Sequence, residues 1–287
     1  SRSDLVVATV EVGVAAEISD RVSGEVVFLY EQDATDFGVD VATLTIAELV
    51  GPVNFTVGKM VVPFGRYETA LINDTLLLEL GETNNTSALF GFEQSGVKAG
   101  AYVFDGEEER EKHVENYGVT VGFEQDRFAV GADYLSSLSE SDGVVDLNDS
   151  ISEEQVIDPV FGWDDAAPAY TVFGKLDLGA VALIAEYLDV TDPLVNEVNL
   201  IEIEPSAAQV EADLTAGLAG REYTFAIAYQ QTEEAVLLGL PEERISCGVS
   251  TEIYRNVTLA GEFWQDADYS VADGGTGEEF NNVVLQL

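Results

Sequence analysis

Carboxylates dominate the residues of this chain that could do chemistry, and they recur at the spacing of one face of a β-sheet. Glu11, Glu25, Glu93, Glu124, Asp133, Asp177, Glu186, Glu211, Asp213 and Glu262 each fall at the polar parity of a segment whose alternate residues are apolar, and Lys98 and Lys175 are among the few cations sharing that parity. Rings of carboxylates beside water draw cations into a passage and repel anions, so ion selection is the chemistry this set supports. Hydration of a wet face accounts for charge there, but not for its sign.

A second concentration lies between Pro63 and Thr86, where Arg66, Glu68, Asp74, Glu79 and Glu82 are interleaved with Leu71, Ile72, Leu76, Leu77, Leu78 and Leu80. Proline cannot continue a strand ladder, so the preceding strand stops there. A loop surrounded only by solvent has no use for so many leucines. The pattern predicts that 63–86 folds inward, packs its leucines on an inner wall and presents the five charged residues to a solute at a constriction. The other reading is a loop that caps the outside or touches a neighbouring protomer.

Other chemistries are poorly supplied. One histidine, His113, cannot build a site needing two imidazoles, and it stands among Glu109, Glu111 and Glu115 as a solvated loop residue would. One cysteine, Cys247, shares parity with Ile245 and Val249 and reads as a small apolar residue. No C-x-x-C-H haem motif occurs. The acidic stretches Asp105–Glu111, Asp164–Asp165 and Asp266–Glu279 lack the spacing of a calcium loop. With 54 acidic residues against 12 scattered basic ones, a net charge of −42, the composition argues against binding DNA or RNA. The expectation is no enzyme, no cofactor, no metal and no nucleic-acid partner.

The elements that must position these residues are strands. Period-two alternation is clearest in Tyr117–Phe123, Phe128–Tyr134, Tyr223–Tyr229 and Val257–Phe263, and nothing comparable repeats at 3.6. About fifteen such segments are predicted, near 4–18, 22–31, 39–49, 53–62, 87–94, 97–104, 115–125, 127–136, 169–178, 180–189, 207–218, 221–231, 243–254, 256–265 and 281–287. Their connections alternate between tight (such as Ser95–Gly96 and Ala219–Gly220) and long (such as Pro63–Thr86, Ser137–Pro168 and Val190–Ser206). An up-and-down meander with one short-turn rim and one long-loop rim sorts its loops this way.

The chain is 46% hydrophobic, with slightly positive mean hydropathy, so it can bury enough surface to fold despite its charge. A water-soluble barrel of this size would need a dry interior, which so many carboxylates forbid. Turning the apolar face toward lipid and the acidic face toward a water-filled lumen resolves the conflict, and the sheet must then close, because lipid cannot satisfy an open edge. Tyr30, Tyr102, Tyr117, Tyr134, Tyr170, Tyr187, Tyr223, Tyr229 and Phe263 lie near strand ends, where aromatic girdles belong. Bacterial barrels have even strand numbers, so an odd count of fifteen leads to the expectation of sixteen, with one strand missing from the numbered chain. The whole of 1–287 reads as a single transmembrane antiparallel β-barrel domain.

Three stretches carry a family resemblance: Thr9–Glu31 (TVEVGVAAEISDRVSGEVVFLYE), Val57–Thr69 (VGKMVVPFGRYET) and Asn73–Thr83 (NDTLLLELGET). They resemble the legiobactin-type siderophore porins, the LbtU family of Gram-negative outer membranes, most sharply in VPFGRYET and LELGET. Thr75 departs from the proline that the family pattern has after the aspartate. The resemblance implies a sixteen-stranded outer-membrane barrel passing a small cationic or metal-chelate solute, with a ferric siderophore among the candidates. Nothing like an energised plug domain precedes the first strand in this sequence, so passive passage is expected. A second class of function is a structural sheath enclosing a partner protein, such as a cytochrome in an electron conduit; the expected partners are outer-membrane lipid, the solute, and either further copies of the chain or that enclosed protein.

Overall fold

The computed structural model describes residues 5–32, 35–106, 114–145, 167–195 and 201–287. His113, the acidic run from Glu107 to Glu111, and Asp164 and Asp165 lie outside the described residues.

Alternating sequence folds here as strand. The chain forms β1 (Thr9–Ser19), β2 (Val22–Glu31), β3 (Thr35–Val50), β4 (Val53–Val61), β5 (Asn84–Gln94), β6 (Val97–Phe104), β7 (Asn116–Gln125), β8 (Phe128–Leu135), β9 (Ala169–Asp177) and β10 (Val181–Val190). After a small hairpin of β11 (Leu194–Val195) and β12 (Glu202–Ile203) come β13 (Ser206–Leu218), β14 (Arg221–Glu233), β15 (Glu243–Tyr254), β16 (Val257–Ala267) and β17 (Glu279–Gln286). Except for β11 and β12, all belong to one antiparallel sheet of fifteen strands in sequence order, an up-and-down barrel wall. The sixteenth strand expected from parity is not among the described residues. Strands β3 and β5 begin at Thr35 and Asn84, earlier than the expected 39 and 87. Those extensions rise toward the long-loop rim, where polar residues such as Asn84 and Thr86 carry no apolar alternation.

Turn chemistry fixes the short rim. Ser95 and Gly96 (φ 55° and 84°) and Ala219 and Gly220 (φ 51° and 80°) put two consecutive residues in the left-handed region, the backbone of a two-residue hairpin loop whose twist matches the flanking strands.

Register then decides the faces, since side chains at directly paired positions share one side of the sheet. Val119 is opposite Tyr134, Val130 opposite Gly174, Ile227 opposite Cys247, and Cys247 opposite Phe263. Val119, Val130, Ile227, Ile245 and Phe263 are all exposed, forming the apolar outer face. Aromatic pairs sit near its edges: Tyr117 with Tyr134 and Tyr170 with Tyr187 toward the long-loop rim, with ring centroids 6.1 and 6.3 Å apart, and Phe123 with Phe128 at 5.7 Å beside a tight turn. Tyr102 corrects the expected girdle. It lies on the opposite parity, facing inward at 3% exposure, with its ring over Gly118, where an added Cβ would come within 2.2 Å of it.

The buried core is inside the barrel, toward the long-loop rim. Leu76, Leu77 and Leu80 pack there with Phe64, Phe104, Leu135, Leu188 and Leu194. A row of directly opposed inward positions passes below this core: Glu93, Lys98, Gly122, Gly131, Phe173, Glu186, Gln209, Gln230, Arg244 and Asp266. The row starts beside a tight turn and ends beside a long loop, the slant that strand tilt imposes on a barrel.

Candidate functional site: a segment held across the inner wall

Between β4 and β5 the chain leaves the sheet and crosses the barrel interior. Val62 N–H donates to Thr83 O (2.9 Å), closing the neck of the segment. Gly65 has φ 79°, and a Cβ there would lie 2.2 Å from the Tyr67 ring, so only glycine fits. Tyr67 itself takes a positive φ of 52°, which turns the backbone so that successive N–H groups point at the wall.

Four wall carboxylates receive those N–H groups. Asp133 on β8 accepts from Gly65 N (3.0 Å). Glu186 on β10 accepts from Arg66 N (2.7 Å) and Tyr67 N (2.8 Å). Glu211 on β13 accepts from Ala70 N and Thr69 Oγ1, both at 2.7 Å. Glu262 on β16 accepts from Ile72 N (2.5 Å) and Asn73 N (2.9 Å). Beyond them Gln230 on β14 accepts from Leu76 N (2.7 Å), and Gln209 on β13 donates through Nε2 to Glu68 O (2.9 Å). Hydrogen bonds to ionised acceptors are roughly twice as strong as neutral ones. The segment is thus fastened to strands spread across the inner wall.

This corrects the sequence reading of these four carboxylates as water-lining residues. Asp133, Glu186, Glu211 and Glu262 face inward, but they are 4%, 4%, 0% and 3% exposed beneath the segment. Alternation identifies a face and says nothing about what covers it. The rest of the expected set is distributed differently. Glu124 pairs with Lys98 at 2.5 Å, and Glu93 lies directly opposite Lys98. Asp177 accepts from Gly179 N (2.6 Å) at a tight turn. Asp213 is partly buried opposite Ala182 and Ala226. Glu11 and Glu25 are exposed on β1 and β2, away from the segment.

The charged residues of the segment divide in the same way. Thr75 caps the helix α1 (Leu76–Gly81) by accepting from Leu78 N (3.1 Å). Glu79, on that helix, is held by Arg244 of β15 at 2.9 Å, and this corrects its expected role as a solute-facing group. Arg244 is 6% exposed. It also donates to Asp266 from Nε (2.7 Å) and Nη2 (3.3 Å), and to Asp74 O from Nη1 (3.1 Å). Sequence reasoning missed this arginine, although a cation at the inward parity of β15 opposite Asp266 was a readable signal. Asp74 is exposed, Glu82 half-buried. Burial pushes the Glu82 carboxyl up to about 7, helped by Asp142, Asp74 and Asp40 nearby. Glu68 forms an ion pair with Lys175. Arg66 is exposed, its guanidinium carbon 4.7 Å from the Phe173 ring centroid.

Outside this region, Asp268 accepts from Thr276 N (2.7 Å) and Oγ1 (2.6 Å) and from Tyr269 N (2.8 Å), which organises its own loop. Cys247 is exposed on the outer face.

No known family profile matches the chain. It is similar to a UPF0422 protein of Coxiella burnetii, 28% identical over 252 aligned positions, covering 82% of this chain and 52% of that protein. It is similar also to a UPF0422 protein of Legionella pneumophila subsp. pneumophila, 23% identical over 313 aligned residues, covering 98% of this chain and 58% of that protein. The chain therefore spans little more than half the length of these curated relatives. Among solved structures, it superposes on Salmonella typhi OmpF in complex with daunomycin with a TM-score of 0.68 at 15% identity, covering 99% of this chain and 92% of the other. An anion-selective porin from Comamonas acidovorans gives 0.63 at 12%, covering 96% and 87%. At these identities the likeness is one of fold, and the fold is that of an outer-membrane porin.

Proposed function

We propose that this chain forms a porin-like channel for passive passage of small solutes, with a preference for cations and a metal chelate of siderophore type as a candidate cargo. The barrel lies in the outer membrane: its outer face is apolar, its fold is a porin's, and its relatives come from Gram-negative bacteria. The observation that carries the channel reading is the segment from Val62 to Thr83, folded into the lumen and fastened there, which narrows a barrel and leaves Arg66, Glu68 and Asp74 beside the remaining space. Cation preference is supported by the excess of 54 acidic over 12 basic residues, because charges lining a lumen act on ions within a Debye length of about 8 Å without binding them. The siderophore candidate rests on the resemblance of VPFGRYET and LELGET to the LbtU family.

The sheath reading has less support, since the volume an enclosed protein would take is partly filled by the segment. Planar bilayer recordings test the proposal. Under a KCl gradient the reversal potential should lie toward that of K⁺, and should weaken as salt rises. Replacing residues 66–82 by a short Gly-Ser linker should raise conductance. An anion-selective wild type would refute the preference, and unchanged conductance after the replacement would refute the constriction.

A further inference from the structure

Arg66 is displayed differently from the other lumen cations near it. Phe173, inward on β9, lies flat against the glycines of the neighbouring strands: a Cβ on Gly131 of β8 would come within 2.3 Å of its ring, and one on Gly122 of β7 within 3.7 Å. The Arg66 guanidinium stacks on that ring at 4.7 Å, with Nη2 3.8 Å from the place a Gly122 Cβ would occupy. Its backbone N–H is fixed by Glu186 at 2.7 Å. Backbone, aromatic ring and guanidinium thus form a layered support that holds the cation at the edge of the open space. Among the described residues, Lys98 pairs with Glu124 and Lys175 with Glu68, whereas the guanidinium of Arg66 has no ion pair and no hydrogen bond; Arg127 also borders the groove, but only Arg66 lies over an aromatic ring. A groove bordered by Arg66, Glu68, Glu124, Phe173, Lys175 and Asp177 opens beside it.

We propose that Arg66 is the docking point for a carboxylate of the permeating solute, an inference that rests on the channel reading. Phe173 covers one face of the guanidinium and leaves its edge N–H groups free, and that planar fork matches a carboxylate through two parallel hydrogen bonds. Cation–π contact fixes the fork in direction, so little side-chain freedom is lost on binding. Glu68, Glu124, Asp126, Asp177 and Glu186 border the groove against Arg66, Arg127 and Lys175, an acidic excess that disfavours a dianion such as phosphate more than a singly charged carboxylate. A channel in an acidic chain with a guanidinium aligned over an aromatic ring suits a solute bearing both cationic and carboxylate groups, such as a metal held by carboxylate arms.

Benzoate is the probe, with benzamide as its neutral isostere and inorganic phosphate as the second anion, titrated calorimetrically into the full chain in detergent micelles. Benzoate should bind wild type, and at least tenfold more weakly to Arg66→Gln. Arg66→Lys, which keeps the charge without the fork, should fall between. Gly131→Ala, which lifts Phe173, should also weaken binding. Equal binding of benzoate to wild type and Arg66→Gln, equal binding of benzamide, tighter binding of phosphate, or no benzoate binding by a preparation that conducts K⁺ would each overturn the proposal. Binding through Arg66 in a protein that conducts nothing would uphold the subsite and overturn the channel.

Discussion

Glu186→Gln separates a carboxylate that fastens the segment from one that merely lines the wall. Glu186 is 4% exposed and takes two backbone N–H groups, one on each oxygen. Glutamine keeps the shape and one acceptor, but turns an NH₂ toward the second N–H. One charge-assisted bond worth about 1.5–3 kcal/mol is lost, the other drops to an ordinary bond, and a buried donor is left facing a donor; about 3 kcal/mol is a fair total. At about 1.4 kcal/mol per decade, the segment should open locally about 100-fold more often. Hydrogen exchange of the protein in micelles, followed by mass spectrometry, reads this directly. Peptides covering Phe64–Ala70 should exchange about 100-fold faster in the variant, with β7 and β8 unchanged. Unaltered exchange at Arg66 and Tyr67, or acceleration spread evenly through the sheet, would refute the fastening role.

Arg244→Met should leave Glu79 and Asp266 without their shared cation at a site where Arg244 is 6% exposed, at a cost of about 3–5 kcal/mol; a thermal midpoint equal to wild type would deny the tie. Phe225→Arg on the outer face should hinder insertion by about 2–4 kcal/mol at mid-bilayer, whereas Glu124→Gln should be tolerated, both read by heat-modifiable electrophoretic mobility; the reverse order would mean that the faces are inverted. Glu82 has a folded pKa raised from 4.5 to about 7, chiefly by burial. The folded state therefore binds its proton more tightly than the unfolded state, and stability present below about pH 4.5 is lost as pH rises to about 7. Glu82→Gln should stabilise the segment at pH 8 and have little effect at pH 4.5, measured by the same exchange experiment; stabilisation that is equal at both pH values would contradict this assignment.

The wall was legible in the sequence because a strand writes its two faces into alternate residues. Tyr117 to Phe123 and Phe225 to Tyr229 need no distant partner to declare their orientation. The leucines of 76–80 likewise announced an inward segment, since solvent gives them nothing to pack on. What alternation could not show is the destination of a carboxylate's lone pairs. Glu186 meets Arg66 across 120 residues and Glu262 meets Ile72 across 190, and in the sequence both look like Glu124, which pairs with a lysine instead. Gln209 and Gln230 carried a faint signal, because uncharged amides at the inward parity of an otherwise acidic wall suggest hydrogen bonding to a backbone. Tyr102 was misread because strand-end position was weighed above parity.

The reach of these contacts bears on how the molecule comes together. Gly65, Arg66, Ala70 and Ile72 find their acceptors 68, 120, 141 and 190 residues further along the chain. Neighbouring strands can zip up through hairpins of short span, while contacts of long span bear the loop-closure entropy of everything between their ends. The acceptors for 65–73 exist as a set only after β16 has joined the wall. Asp133 and Glu186, on β8 and β10, can receive Gly65, Arg66 and Tyr67 before that, but Ile72 and Asn73 wait for Glu262, so the far end of the segment takes its final place only when the wall is nearly complete.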